Sequence, residues 1–375
     1  MSFSSQLLLG SILVAVASFL VAQRSDPLPS LPAMGRALFA LFWFSVLALV
    51  VHAIVSDLDF FGVTHIVYLA VVVSIPLTSF LLLGTGWARL RGTKRRLANL
   101  NYILLAIGIL PAGIGWYATH VEPDRLVTDS QTIVLGDTTG PIRVAVIADL
   151  QSPNVGDHEW AAINRAIESE PDLVVLPGDL WAASPQRFRE LRPDLVELLG
   201  ALIDTTHHVV MVVGDTDNLP GLQGLADETG VVLLANEIWE HDVAGQDIVI
   251  AGTTLPVGER SSIDESLLAE LRSVPDDQLT IMVSHRPDAV LGLDESTPVD
   301  LVIAGHTHGG QVAVPGLGPL VTFSDVPRSA AGGGASIVNG RALYVSAGVG
   351  LERNQAPQIR FGVPPEVGIL DLVPR

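Results

Sequence analysis

Three carboxylates and three imidazoles follow short apolar runs in this chain, most of them beside a glycine. The run 142–148 leads to Asp149-Leu150-Gln151, the run 173–176 to Gly178-Asp179, and the run 209–213 to Gly214-Asp215-Thr216-Asp217. The run 280–283 leads to Ser284-His285, and 301–304 to Gly305-His306-Thr307-His308-Gly309-Gly310. Runs of this length, rich in β-branched residues, read as buried strands. Open α/β sheets collect ligand-binding residues in loops at the carboxyl ends of their strands. Glycine lets the backbone turn sharply there without a Cβ clash. Taken singly, Asp149 or Asp179 reads as a turn residue or helix cap, and His285 as a hydrogen-bonded core histidine. Two imidazoles two residues apart after an apolar strand rarely serve packing. Six such donors at one sheet edge make an N/O site suited to Mn, Fe or Zn.

The elements that must position these residues alternate. Helical stretches are expected at 158–169, 186–203, 220–229 and 264–272, with a further strand at 248–251. Runs at 311–314, 342–345 and 367–372 have no helix between them, so part of the sheet structure is expected to be antiparallel. Two sheets flanked by helices satisfy this order. The glycine-rich stretch 330–335 reads as a mobile connection, because no helix start follows it to cradle a phosphate.

Composition divides the chain. Residues 1–120 carry a formal charge of +4 and residues 121–375 carry −23, in a total of −19. An acidic body repels nucleic-acid phosphates, so no nucleic-acid partner is expected. It does not exclude a small phosphoester, because bound cations reverse the local field. The chain has no cysteine, hence no disulfide and no thiolate ligand. Apolar stretches at 7–22, 37–55, 63–83 and 100–118 approach the length of about 20 residues that a helix needs to cross a bilayer. His52 and Pro76 fall inside them, as a packed polar group and a kink. Arg89, Arg91, Lys94, Arg95 and Arg96 form the densest basic cluster, and Arg24 and Arg36 lie after the first stretch. The loop after the second holds only Asp57 and Asp59. By the positive-inside rule these features put the basic loops in the cytoplasm and the acidic body outside. The expected organisation is a four-helix transmembrane region over 1–120, a linker and first strand over 121–139, and one domain over 140–375. The chain is then an integral protein of the cytoplasmic membrane, with the lipid bilayer as a partner.

In order, Asp-x-x, Gly-Asp, Gly-x-x-Asp, Ser-His-x-Pro-Asp and Gly-His-Thr-His-Gly-Gly-Gln resemble the calcineurin-like metallophosphoesterase superfamily. The ending Pro357-Gln358-Ile359-Arg360-Phe361-Gly362-Val363-Pro364-Pro365-Glu366 is most similar to its membrane-anchored bacterial branch. The resemblance covers about residues 140–375. It implies a two-sheet αββα sandwich holding two divalent metal ions. Asp149, Gln151 and His308 would then face the first ion and Asp215, His285 and His306 the second, with Asp179 bridging. A hydroxide activated between the metals would attack a small or lipid-linked phosphoester or pyrophosphate bond. The chain departs from the family pattern in three places. Gln151 stands where the family has His, and Asp215-Thr216 where it has Asn-His. Without a histidine at 216, leaving-group protonation falls to Asp217, His158, His207 or His208, or the leaving group is one, such as a phosphate, that needs no proton. Arg353 and Arg360 are surface or salt-bridge residues, with phosphate contact as the alternative role. Two other functions stay open: a metal-binding protein with little or no turnover, structural or sensory, and a transporter carrying an accessory domain.

Overall fold

The computed structural model describes residues 3–23, parts of 35–51, 59–89, 96–136 and 138–375. The chain divides into two compact units: Met1–Val121 with Glu352–Gln358, and Glu122–Leu351 with Ile359–Arg375.

In the first unit, helices cover Phe3–Gln23, Phe60–Leu69, Ile75–Arg89 and Arg96–His120. A π-helical turn, Ala70–Ser74, joins the second and third. Pro76, just beyond that turn, has no N–H for the preceding carbonyls, and a widened turn is one way a continuous helix absorbs that loss. Among the described residues, Phe60–Leu83 and Tyr102–His120 are long and apolar enough to cross a membrane, with mean hydropathies of 2.5 and 1.5. Ser5–Val21 is a shorter apolar helix. The stretch 37–55 and the basic loop near residue 90 fall largely outside the described residues. Ser74 Oγ donates to the Ser11 carbonyl at 2.9 Å, and Thr78 Oγ1 to that of Ser74 at 2.7 Å, so hydroxyls inside these helices are satisfied by backbone.

The second unit is built on fourteen described strands. They are β1 (Val127–Leu135), β2 (Ile142–Val146), β3 (Leu173–Leu176), β4 (Val209–Met211), β5 (Val232–Leu233), β6 (Glu237–Val243) and β7 (Gln246–Gly252). After these come β8 (Thr280–Val283), β9 (Leu301–Ala304), β10 (Ala313–Val314), β11 (Gly318–Pro319), β12 (Gly334–Val338), β13 (Arg341–Val345) and β14 (Glu366–Pro374). One six-stranded sheet has the order β1-β14-β2-β3-β4-β5, the other β12-β13-β9-β8-β7-β6, and β10 pairs with β11 in a hairpin. Strands β2 to β5 run parallel, as do β7, β8, β9 and β13. The antiparallel pairs are β14 with β2, β6 with β7, and β12 with β13. Both sheets are therefore mixed, as the helix-free runs imply.

Side-chain alternation explains the layering. Val144, Val146 and Val175 pack with Ile248, Ile281, Val283 and Ile303 in the core between the sheets. Their neighbours Ala145, Ile147, Val174 and Leu176 face the other way, onto Leu195, Leu198 and Leu202 of the helix Pro185–Thr205. On the second sheet, Met282, Val302 and Leu343 turn outward onto Leu267 and Leu271 of the helix Glu265–Leu271. With successive residues pointing to opposite faces, a strand covered on both sides must be apolar throughout, and β3, β8 and β9 are buried at every position.

One expectation changes. The stretch 330–335 is not a loop: a short helix, Arg328–Ala331, runs almost directly into β12, with Gly333 and Gly334 at φ of 112° and 81° where the chain turns. The glycines serve that turn, which a side chain would strain.

Candidate metal centre

Asp149 follows β2, Asp179 follows β3, Asp215 follows β4, His285 follows β8 and His306 follows β9. All five leave the carboxyl ends of parallel strands, so their loops converge. Asp149 N donates to Gly178 O at 3.2 Å, Gln151 N to Asp179 O at 2.8 Å and Gly305 N to His285 O at 3.1 Å. Two overlapping donor clusters result. One is Asp149, Asp179 and His285, and the other Asp215, His285 and His306. Each has its ligand atoms within 4.8 Å of one another.

Backbone conformation at the centre is costly. Asp149, Gln151, Asp179, His306 and His308 all have positive φ, between 40° and 69°. Non-glycine residues avoid this region, and where they occupy it the surrounding structure has to enforce it. Glycines do so by close approach. Gly348 packs so that a Cβ would lie 2.7 Å from Asp149 Cβ, and at Gly178 a Cβ would lie 2.9 Å from His285 Nδ1.

His285 shows which nitrogen is available. Its Nδ1 lies 2.9 Å from the Pro177 carbonyl, which can only accept, so Nδ1 carries a proton and donates. Its Nε2 points between Asp179 Oδ2 at 3.6 Å and Asp215 Oδ2 at 3.5 Å, with no hydrogen bond. The His306 Nε2 is likewise buried without a hydrogen-bond partner, while its Nδ1 lies 2.9 Å from Asp215 Oδ2. An imidazole fixed by a backbone carbonyl on one side and open on the other has the arrangement of a metal ligand. The chain thus fits a pair of divalent ions in donor type and in its unsatisfied buried nitrogens.

The electrostatics agree with that fit. Burial pushes the Asp149 carboxyl well above its usual range, against the pull of His285, and the charge of Asp179 adds to the rise. Burial alone would lower His285, but Asp179, Asp215 and Asp149 outweigh it and bring it up to about 10. Carboxylates crowded in low dielectric require cationic charge, which protons supply in the absence of metal. Asp215 behaves differently. Burial raises it, yet His285, His306 and Arg286 hold it far below the ordinary carboxylate range. Arg286 Nη2 lies 2.5 Å from Asp215 Oδ1. The extra negative charge that Asp215 brings to the second half of the centre is thus matched locally. Arg286 was not singled out in the sequence, although its place next to His285 was the available signal.

The remaining sequence candidates divide. The Gln151 amide nitrogen donates to Asp179 Oδ2 at 2.7 Å, so Gln151 does face the shared carboxylate. His308 is buried, but it belongs to neither cluster, and its Nδ1 is 3.5 Å from Arg360 Nη2. Asp217 is held at about 7 by burial and by Asp179, and both its oxygens accept backbone N–H bonds, from Leu180 and Trp181 at Oδ1 and from Gly214 at Oδ2. It ties the β3 loop to the β4 loop. Thr216 ties the same two loops: its N–H reaches Asp179 Oδ1 at 2.7 Å and its hydroxyl the Trp181 carbonyl at 2.6 Å. His158 Nε2 lies 3.1 Å from the Val349 carbonyl, at the rim of the Asp149 loop. His207 and His208 immediately precede β4, whereas Asp215 follows it, so they sit at the wrong end of the strand to protonate a leaving group. Arg360 is also reassigned. It is wholly buried, with its guanidinium on backbone carbonyls, which removes both the surface and the phosphate-contact roles.

Comparison with known proteins bears on this centre. Residues 142–310 match the family profile of calcineurin-like phosphoesterases. Over 295 residues the chain is 26% identical to the uncharacterized metallophosphoesterase YkuE of Bacillus subtilis strain 168, spanning 75% of this chain and 97% of that one. It is 26% identical over 254 residues to phosphodiesterase YaeI of Escherichia coli K12, spanning 63% and 84%. Among solved structures, a dimetal phosphatase from Danio rerio covers 56% of this chain and 88% of its own at 16% identity, with a TM-score of 0.34.

Proposed function

We propose that this chain, which the family profile and the names of its relatives support as a calcineurin-like metallophosphoesterase, is a membrane-attached phosphoesterase that works with two divalent ions. The observation that carries the reading is the pair of overlapping clusters, Asp149–Asp179–His285 and Asp215–His285–His306. Asp149, Gln151 and His308 would serve one ion, Asp215, His285 and His306 the other, and Asp179 both. Such ions lower the pKa of bound water and neutralise phosphoryl oxygens during in-line attack. The protein's own part is positional. Thr216 N and Gln151 Nε2 hold the two oxygens of Asp179, and the His306 amide holds both oxygens of Asp149 at 3.0 and 3.1 Å. Arg286 donates two hydrogen bonds to Asp215 and keeps it aligned.

What the site lacks favours one substrate class. Thr216 spends its hydroxyl on Trp181, and Asp217 spends both oxygens on backbone N–H groups. Neither is placed to hand a proton to a departing alkoxide. A bond whose leaving group is stable as an anion, a pyrophosphate above all, is affected least. Those two residues and Gln151 are also what favours the second reading, a metal-binding protein with little turnover.

One assay separates the two readings. The full chain in detergent should release p-nitrophenol from mono- and diester reagents in the presence of Mn, Fe or Zn and lose that activity with chelator. Two tightly held ions with no turnover on these or on a pyrophosphate reagent would establish the second reading. Restoring the family residues should gain little. Gln151→His with Thr216→His supplies a proton donor worth about 10²–10⁴-fold only where protonation limits the rate. Asp215→Asn should weaken the second ion, since it strips Arg286 of its carboxylate.

For the attachment, we take the apolar helices as membrane spans and the −23 body as extracytoplasmic. An alkaline phosphatase fusion after residue 120 should be active and a cytoplasmic reporter silent. The opposite pattern would reverse the orientation.

A further inference from the structure

Arg360 is a charged side chain with no exposed surface and, among the described residues, no ion-pair partner. Its Nε and Nη2 donate to Gly350 O at 3.1 and 2.6 Å, and Nη2 also to Ala347 O at 2.8 Å and Gly348 O at 2.9 Å. Nη1 reaches Val363 O at 3.3 Å and Pro364 O at 3.4 Å. An unpaired guanidinium in the interior is expensive to desolvate, so packing alone would be better served by an apolar side chain of similar length. What it holds explains its presence. Residues 347–350 form the loop after β13, and that loop is moulded on Asp149. Val349 N donates to Ala148 O at 3.0 Å, and Gly350 N to Asp149 O at 2.7 Å. The Gly348 backbone lies against Asp149 Cβ, leaving no room for a side chain. Asp149 sits at φ 49°, a conformation that something outside its own strand must enforce. The same Nη2 lies 3.5 Å from His308 Nδ1. Two of the residues assigned to the first ion, Asp149 and His308, therefore touch Arg360 or the loop it clamps.

We infer that Arg360 is the positioning residue of the first metal half-site: its fork of N–H groups clamps the 347–350 loop, and the loop holds Asp149 in place. This rests on the two-ion reading above. The role needs geometry more than charge. One planar group reaches five carbonyls from fixed directions, whereas a lysine ammonium offers three donors from a single point.

The test uses the full-length chain in detergent, dialysed against Mn(II), with elemental analysis and electron paramagnetic resonance as readouts. The parent should hold two ions with the spectrum of an exchange-coupled pair. Arg360→Met and Arg360→Lys should keep the second ion, bind the first about 10–100-fold more weakly and show an uncoupled six-line signal, since supporting partners of metal ligands have effects of that size. Gly348→Ala should do the same with the guanidinium intact, because a Cβ there presses on Asp149. Melting in chelator checks folding, and if Arg360→Met does not fold, Arg360→Lys and Gly348→Ala carry the test. Two coupled ions in both of those variants would overturn the inference. A parent chain that binds no Mn(II) would overturn this and the two-ion reading together. A fully loaded parent without turnover would remove only the enzymatic reading.

Discussion

Asp179→Asn should leave the chain without either metal ion and reduce any hydrolysis to background. Its Oδ2 lies between residues of both halves, 2.7 Å from the Gln151 amide nitrogen and 3.6 Å from His285 Nε2, while Oδ1 accepts the Thr216 amide at 2.7 Å. An asparagine keeps the shape but offers one neutral oxygen where the site had two sharing a negative charge, too few to serve two cations. His306→Ala, by contrast, touches only the second cluster and should release mainly one ion. The apo protein should respond in the opposite direction. The buried Asp179 repels both Asp149 and Asp217, so neutralising it should leave the melting temperature in chelator unchanged or higher. Elemental analysis and melting with and without chelator check both halves of the expectation. Two ions retained in Asp179→Asn would mean that Asp179 does not bridge.

Gly214→Ala should have an effect of comparable size, although residue 214 contributes no side chain. A Cβ built there overlaps the Asp179 amide nitrogen and Oδ1, and the Gly214 N–H is held by Asp217 Oδ2 at 3.1 Å, so the β4 loop cannot back away freely. Asp179 must shift instead, and a misplacement of about 1 Å in a catalytic group can cost about 10²-fold in rate. Gly305→Ala is the matched case on the other half, where the Cβ overlaps Asp149 Oδ2; it should release the first ion and spare the second. Gly200→Ala, in the helix Pro185–Thr205 with nothing within 4 Å, is the control and should be neutral or stabilising by about 0.5–1 kcal/mol. Titration with Mn(II) followed by steady-state rates would read all three. Two ions bound by Gly214→Ala with parental affinity would show that the β3 and β4 loops need not touch so closely.

The candidate donors stand out in the sequence because each follows a strand whose pattern is local. β3 and β9 are uninterrupted apolar runs and β8 departs from one only at Thr280, and a Gly, Asp or His within three residues of the end of such a run marks the loop there. The four helices expected in the second unit appear within two residues of their expected bounds, since amphipathic spacing is also a property of neighbours in sequence. The hairpin β10–β11 was less legible: the run 311–314 yields only the two strand residues Ala313 and Val314.

Composition by itself determined that the chain has an apolar, basic first third and an acidic remainder, and residue order determined which donors could meet. Tertiary structure decided the rest. It inserted β14 between β1 and β2, parallel to one and antiparallel to the other, an arrangement that brings Asp371 to Arg143 at 2.8 Å from 228 positions away. It turned the Thr216 hydroxyl onto Trp181, set Arg286 against Asp215, and buried Arg360 beneath the Asp149 loop. Periodicity and turn chemistry are written in adjacent residues. The partner of a guanidinium or hydroxyl depends on which distant carbonyl or carboxylate the folded chain brings within about 3 Å, and on the cost of burying that group without one.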